Sequence, residues 1–482
     1  MIVLIVLLVY FIIGTLIAYY SRKMGIKDSF DYYVGGYRLS GFLSAMTYAA
    51  TTYSAFMMIG LVGFVYATGI GAFGFENLYL MATIVLLTFF APKVWKIARE
   101  RKWISPAEML GDLYGSRILS MIVSIVYLVA LMPYATAQLV GLGNLFSGMG
   151  LGYELGVLFG AIIVFLWTYI AGLWSIATTD AFQGLWMIAS AIIFLLWVIL
   201  FLTPSAGITP SQAIGLVGDK GLLGITSFWS FPVFLAYTVP WIFFAVTNPQ
   251  VVQRIYMPRD IKALRRMITY FAIFGLFYTV IVTIIGIYAR ALTFLGLLPD
   301  LTSKRDMVTP TLLSLVHPVL AAIVFTSIVA AAISTLDSII LTISSSISRD
   351  FYGKIKGYGR ELYVGYITII ALVLVVTIMA LHKPGFVVEL SVLSSVILLP
   401  LAPITILAWS KPELARNMGD VAILTLLVNV SIGIYAALVL GPKKAFIETI
   451  MNAPLSLWIL LLSTIMLAIG IYVKRKIALK QG

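Results

Sequence analysis

Thirteen stretches of this chain are apolar for long enough to cross a bilayer as helices, at roughly 17–25 residues per crossing. They run over 2–20, 41–68, 75–97, 118–146, 153–172, 176–203, 230–248, 266–290, 318–348, 362–381, 386–409, 420–440 and 454–473. Polar positions are sparse inside them, so each one carries information. The densest group lies in the ninth stretch, where AAISTLDS (Ala331 to Ser338) interrupts VLAAIVFTSIVA and IILTISSSIS. At ~100° per residue, Ser334, Thr335, Asp337 and Ser338 share one helical arc of roughly 160°. An acidic group at membrane depth costs a few kcal/mol or more, and such groups face a bundle interior and serve a function. Clustered oxygens suit a hard cation. The plainer alternative is that the hydroxyls bond back to their own helix or join neighbouring helices. That accounts for Ser334, Thr335 and Ser338 but not for the charge on Asp337.

Two stretches are interrupted. The second, GFLSAMTYAATTYSAFMMIGLVGF, is small and polar from Ala49 to Ala55, with glycines at 60 and 63. The seventh, FPVFLAYTVPWIFFAVTNPQ, has prolines at 232, 240 and 249. The two lie five apart in order. Matching interruptions in two halves point to an inverted repeat with a binding site at its interface. An odd number of spans per half gives the opposite orientation that such a repeat needs. The alternative is that Pro and Gly are simply common in membrane helices.

Composition sets the class. The chain is 61% hydrophobic and 11% charged, against roughly 25% charged residues in soluble domains. This predicts an all-α polytopic membrane protein. The first stretch has no basic region before it and no small-residue cleavage site, so it reads as a retained helix. The sequence holds no cysteine, which excludes disulfides, thiolate metal sites and cysteine nucleophiles. The net charge of +13 is not a nucleic-acid signature here: about 25 of the 32 basic residues fall in alternate connections. These include Arg22, Lys23, Arg99, Arg254, Arg349 and the tail Lys474 to Lys480, while Arg290 and Arg305 fall on the opposite side. The positive-inside rule then places the N-terminus outside, the C-terminus in the cytoplasm and the chain in the cell membrane. The long connections 204–229 and 291–317 are external and expected to form short covering helices.

Asp180, early in the sixth stretch in WSIATTDAFQG, is a second candidate ion ligand; its alternative is a helix-end cap or a snorkelling side chain. As a membrane aspartyl protease pair, Asp180 and Asp337 lack the Gly-x-Gly-Asp setting, and HExxH is absent, so no enzymatic activity is expected. Glu76 in GAFGFENLYL sits near the outer end of the third stretch, as a site residue or an interfacial one. Tyr134 and Gln138 in the fourth stretch and Trp241 in the seventh are ligand contacts or packing.

Four ordered motifs, TTYSAFMMIGLVG, WSIATTDAFQG, VTNPQVVQR and AAISTLDS, resemble the sodium/solute symporter family across essentially the whole chain. The resemblance implies one transporter domain over 1–482 with the leucine-transporter-like five-plus-five inverted repeat. Residues 41–203 and 230–409 are then the repeats, and 1–40 and 420–482 are additions. It implies sodium-coupled symport by alternating access, with Na+, a small solute and the lipid bilayer as partners and the oligomeric state open. Carried over by position, the main sodium site is formed by the carbonyls of Ala50, Tyr53 and Ala331 and the hydroxyls of Ser334 and Thr335. A second sodium site maps to Asp180, Asp337 and Ser338. Asp337 departs from members with serine there, and two adjacent carboxylates call for a cation or a shared proton between them. Glu76, Tyr134, Trp241 and Pro249 match proline-carrying members. Trp241 stands where sugar carriers use asparagine, and an indole offers a sugar only one donor. Thr52 replaces an acidic residue of the proline carriers, and Ala245 a tyrosine. An amino acid such as proline leads; a monocarboxylate, pantothenate or a sugar follows; a channel or solute sensor is the other class.

Overall fold

The computed structural model describes residues 2–21, 23 and 26–481; Arg22, one of the basic residues assigned to the cytoplasmic side, lies outside them. Among the described residues, ten helices are long and apolar enough to cross a membrane, and two bent pairs pass the same test together. These twelve coincide with twelve of the expected stretches. The remaining one, the seventh, is a 12-residue helix, Phe231–Ile242, followed by the short helices Phe244–Thr247 and Pro249–Arg254. At 1.5 Å per residue, twelve residues reach only about 18 Å. The chain is a multi-pass membrane protein.

The second span breaks where its sequence turns small and polar. Gly41–Thr52 ends at Tyr53, whose backbone is extended (φ −91°, ψ 91°), and the chain resumes at 45° as a π-wound segment, Phe56–Leu61. Freed backbone at this depth needs other partners. Gln138 Oε1 accepts the Ala55 N–H at 3.1 Å, and Ser54 Oγ accepts that of Phe56 at 3.1 Å. In the seventh span Pro240 lacks the N–H that would bond Ala236; the Ala236 carbonyl accepts from Ser456 Oγ of the last span at 3.4 Å instead.

A third break was not anticipated. The eleventh span is two helices, Val387–Leu398 and Leu401–Ser410, meeting at 54°. Pro400 between them removes a ladder donor, the same cause as in the seventh. The fifth and sixth spans run on through Gly172, which turns at φ +51° with the Tyr32 carbonyl and ring packed where a Cβ would sit. Only glycine meets both demands.

The ninth span, Pro318–Ser345, is the pillar of the bundle. Of its most apolar window 89% is buried, against 22% for the first helix Ile2–Ser21, whose apolar side faces lipid. The long connections form covering helices as expected, among them Pro210–Asp219, opened by a Thr209–Gln212 capping box, and Val308–Leu313. Two basic residues counted with the loops are corrected by the structure, because packing rather than sequence position decides burial. Arg305 is 5% exposed, pairs with the buried Glu389 and lies 4.6 Å from the ring centres of both Phe64 and Phe386. Arg254 is fully buried.

Candidate functional site

The broken second span presses its open backbone against the polar arc of the ninth. Ser334 Oγ lies 2.9 Å from the Ala50 carbonyl and 3.1 Å from that of Ala331. Thr335 Oγ1 lies 3.1 Å from the carbonyls of both Ala50 and Thr51. The Thr51 carbonyl is available because the Ala55 N–H, which a continuous helix would aim at it, goes to Gln138. Ala50, Ala331, Ser334 and Thr335 are all fully buried. Two hydroxyl and two carbonyl oxygens expected in the main sodium site thus meet, and each retains lone pairs for a hard cation. Tyr53, the fifth expected residue, is where the helix stops. Its ring stacks on Phe271 and Phe274, both at 5.7 Å, away from the polar arc.

The second group lies one turn further along. Asp180, Asp337 and Ser338 are fully buried. Thr47 Oγ1 donates to Asp180 Oδ2 at 2.5 Å, the Thr51 and Ser338 hydroxyls meet at 2.8 Å, and Ser338 Oγ lies 3.5 Å from Asp337 Oδ1. Asp180 Oδ1 and Asp337 Oδ2 are buried without a hydrogen-bond partner. Burying a carboxylate oxygen unpaired is costly, and two such atoms lie in this group. Asp180 is not the snorkelling or capping residue of the alternative reading, since no part of it reaches the surface.

The expected substrate residues form a connected path. Trp241 Nε1 donates to Glu76 Oε2 at 3.0 Å, and Glu76 is 1% exposed, so it is not an interfacial side chain. Trp241 is ringed by Phe56 (5.2 Å), Phe244 (5.3 Å) and Tyr79 (5.7 Å). Phe244 continues to Tyr134 at 6.2 Å, whose hydroxyl reaches the Thr52 carbonyl at 3.4 Å. The Thr52 hydroxyl itself is buried and unpartnered. Gln138 departs from the path: its Oε1 holds the break at Ala55 and its Nε2 donates to the Tyr134 carbonyl at 3.2 Å. Pro249 starts the short helix after the seventh-span break at Asn248, and next to it both amide atoms of the buried Gln250 lack partners.

The family profile that matches this chain is that of sodium:solute symporters, over residues 32–409, which contain every candidate residue. The chain belongs to the sodium:solute symporter family. Among curated relatives of this symporter-family chain are the sodium/proline symporters of several Staphylococcus aureus strains, 26% identical over 376 residues, covering 73% of this chain and 69% of theirs. Its fold is similar to that of a Na+-coupled sialic acid symporter in a substrate-bound, outward-open state, whose structure revealed a novel Na+ site. The TM-score is 0.81 at 17% identity, covering 99% of this chain and 98% of that one. Mhp1, a nucleobase-cation-symport-1 family transporter in a closed conformation with bromovinylhydantoin bound, follows with a TM-score of 0.60 at 13% identity over 94% and 96% of the two chains. The family and fold establish the expected five-plus-five architecture, with sodium as the coupling ion.

Sequence reasoning missed Thr47, Thr51 and Arg254. Thr47 and Thr51 stand four residues apart, hence on one face of the helix, and a hydroxyl pair just before a break was the available signal. Arg254 ends NPQVVQR and was read as a loop charge, although an apolar run, IYM, follows it directly.

Proposed function

We propose that this chain is a sodium-coupled symporter of a small amine-bearing solute, with an amino acid such as proline as the lead candidate. The observation that carries the reading is the convergence of the Ser334 and Thr335 hydroxyls on the Ala50 carbonyl at the break of the second span. Ala50, Tyr53, Ala331, Ser334 and Thr335 hold the main sodium, and Asp180, Asp337 and Ser338 a second cation. Residues 41–203 and 230–409 act as the two repeats. Sodium joins the second and ninth spans, favours the outward-open form and so favours the solute; inward opening releases both. The two affinities are linked reciprocally.

Glu76 and the rings around it support the choice of solute. A buried carboxylate beside aromatic faces attracts an ammonium group and repels an anion, which sets monocarboxylates and pantothenate behind amino acids. The sodium/proline symporters at 26% identity agree with it. The test is counterflow in proteoliposomes over amino acids, carboxylates and sugars. Sodium-dependent exchange of an amino acid is expected; saturable, sodium-dependent galactose uptake with no response to any amino acid contradicts the reading.

Orientation follows from the basic connections. With no native cysteine, single cysteines report cleanly. One placed at Lys480 is expected to stay unlabelled by an impermeant thiol reagent in intact cells, and one at Ile2 to react. Labelling at Lys480 reverses the topology.

A further inference from the structure

Arg254 closes the acidic pocket from the side of the seventh span. Its NH2 donates to Ser338 Oγ at 2.6 Å, while Nε and NH1 are buried without partners. Two carboxylate oxygens, Asp180 Oδ1 and Asp337 Oδ2, are also buried without partners, and these two acids are the charges that act on the guanidinium. Tyr10 of the first helix accepts a hydrogen bond from Gln183 Nε2 at 2.7 Å, and the charges of both acids act on it too. Arginine keeps its proton in proteins, so its charge is permanent. With both acids ionised, two carboxylates and one guanidinium leave a single negative charge.

We propose that Arg254 is the resident counter-ion of the Asp180–Asp337 pair, so that the pocket takes one exchangeable monovalent cation where the pair alone would hold two. This rests on the reading of Asp180, Asp337 and Ser338 as a cation site, and it explains the departure at 337. With serine there, Arg254 would already neutralise Asp180; Asp337 restores the charge that a cation answers. The guanidinium also tethers the helix behind the seventh-span break to Ser338 of the ninth span, so cation binding is felt at both spans.

The experiment is thermal unfolding of the purified full chain in detergent over a sodium series, with choline holding ionic strength and potassium as control. Arg254→Gln uncovers a second negative charge. It is expected to lower stability without sodium and to reduce the sodium concentration for half-maximal stabilisation about tenfold. Arg254→Gln/Asp337→Asn returns the pocket to one negative charge and is expected to restore the wild-type sodium response, as is Arg254→Lys. If Arg254→Gln alone yields no folded protein, recovery by Asp337→Asn supports the proposal and failure to recover overturns it. A sodium response in Arg254→Gln identical to wild type, or a double variant that behaves like Arg254→Gln, also overturns it, while the cation site stands. A wild type stabilised no more by sodium than by potassium removes the cation site itself, and the role of Arg254 with it.

Discussion

Asp180→Asn/Asp337→Asn is expected to be the most damaging change in the molecule short of breaking a helix. Either single variant leaves Arg254 facing one carboxylate, a balanced pair. The double variant leaves a fully buried guanidinium with no counter-charge. Removing the partner of a buried charge typically costs about 3–5 kcal/mol. The asparagines keep the volume, so the loss is electrostatic and not a cavity effect. Each single variant should fold and change the steepness of the sodium dependence, whereas the double variant should lose most of its folded yield. Thermal midpoints and size-exclusion profiles in detergent read this directly. A double variant no less stable than the sum of the two single ones would show that the three groups do not form one electrostatic unit.

Ser334→Ala and Thr335→Ala carry the second large effect. Each removes one oxygen from the junction of the second and ninth spans without opening a large void. A charge-assisted contact is worth about 1.5–3 kcal/mol, so each change should raise the sodium concentration for half-maximal uptake roughly tenfold or more. Protein abundance should change little, since the lost hydrogen bonds to Ala50 are neutral ones. Solute affinity should fall at low sodium and recover at high sodium, as reciprocal linkage requires. Uptake over a sodium series decides it, and wild-type sodium dependence in both variants would remove the ion from this helix.

The features legible in the sequence were those with a local cause. Apolar length located the spans, the small polar run Ala49 to Ala55 located the break in the second, and helical spacing put Ser334, Thr335, Asp337 and Ser338 on one face. Each follows from backbone geometry and the membrane as solvent, without knowledge of neighbours. What escaped depends on partners far along the chain. Gln138 was grouped with the solute contacts, but its amide completes the backbone at Ala55, 83 residues away. Arg254 looked like a loop charge because its burial comes from the second and ninth spans packing against its short helix. Thr47 gains its role from Asp180, 133 residues further on. The bend at Leu399 had a local signal in Pro400, inside the apolar stretch 386–409 that reads from the sequence as a single span.

In the proposed function a sodium ion sits where the second span breaks against the ninth. Equilibrium binding of radiolabelled sodium to the purified protein tests it without knowledge of the solute. Wild type should bind sodium saturably and resist displacement by potassium, and Ser334→Ala/Thr335→Ala should lose the component that requires this junction while remaining folded. Undiminished, saturable binding of wild-type strength in the folded double variant would contradict the account.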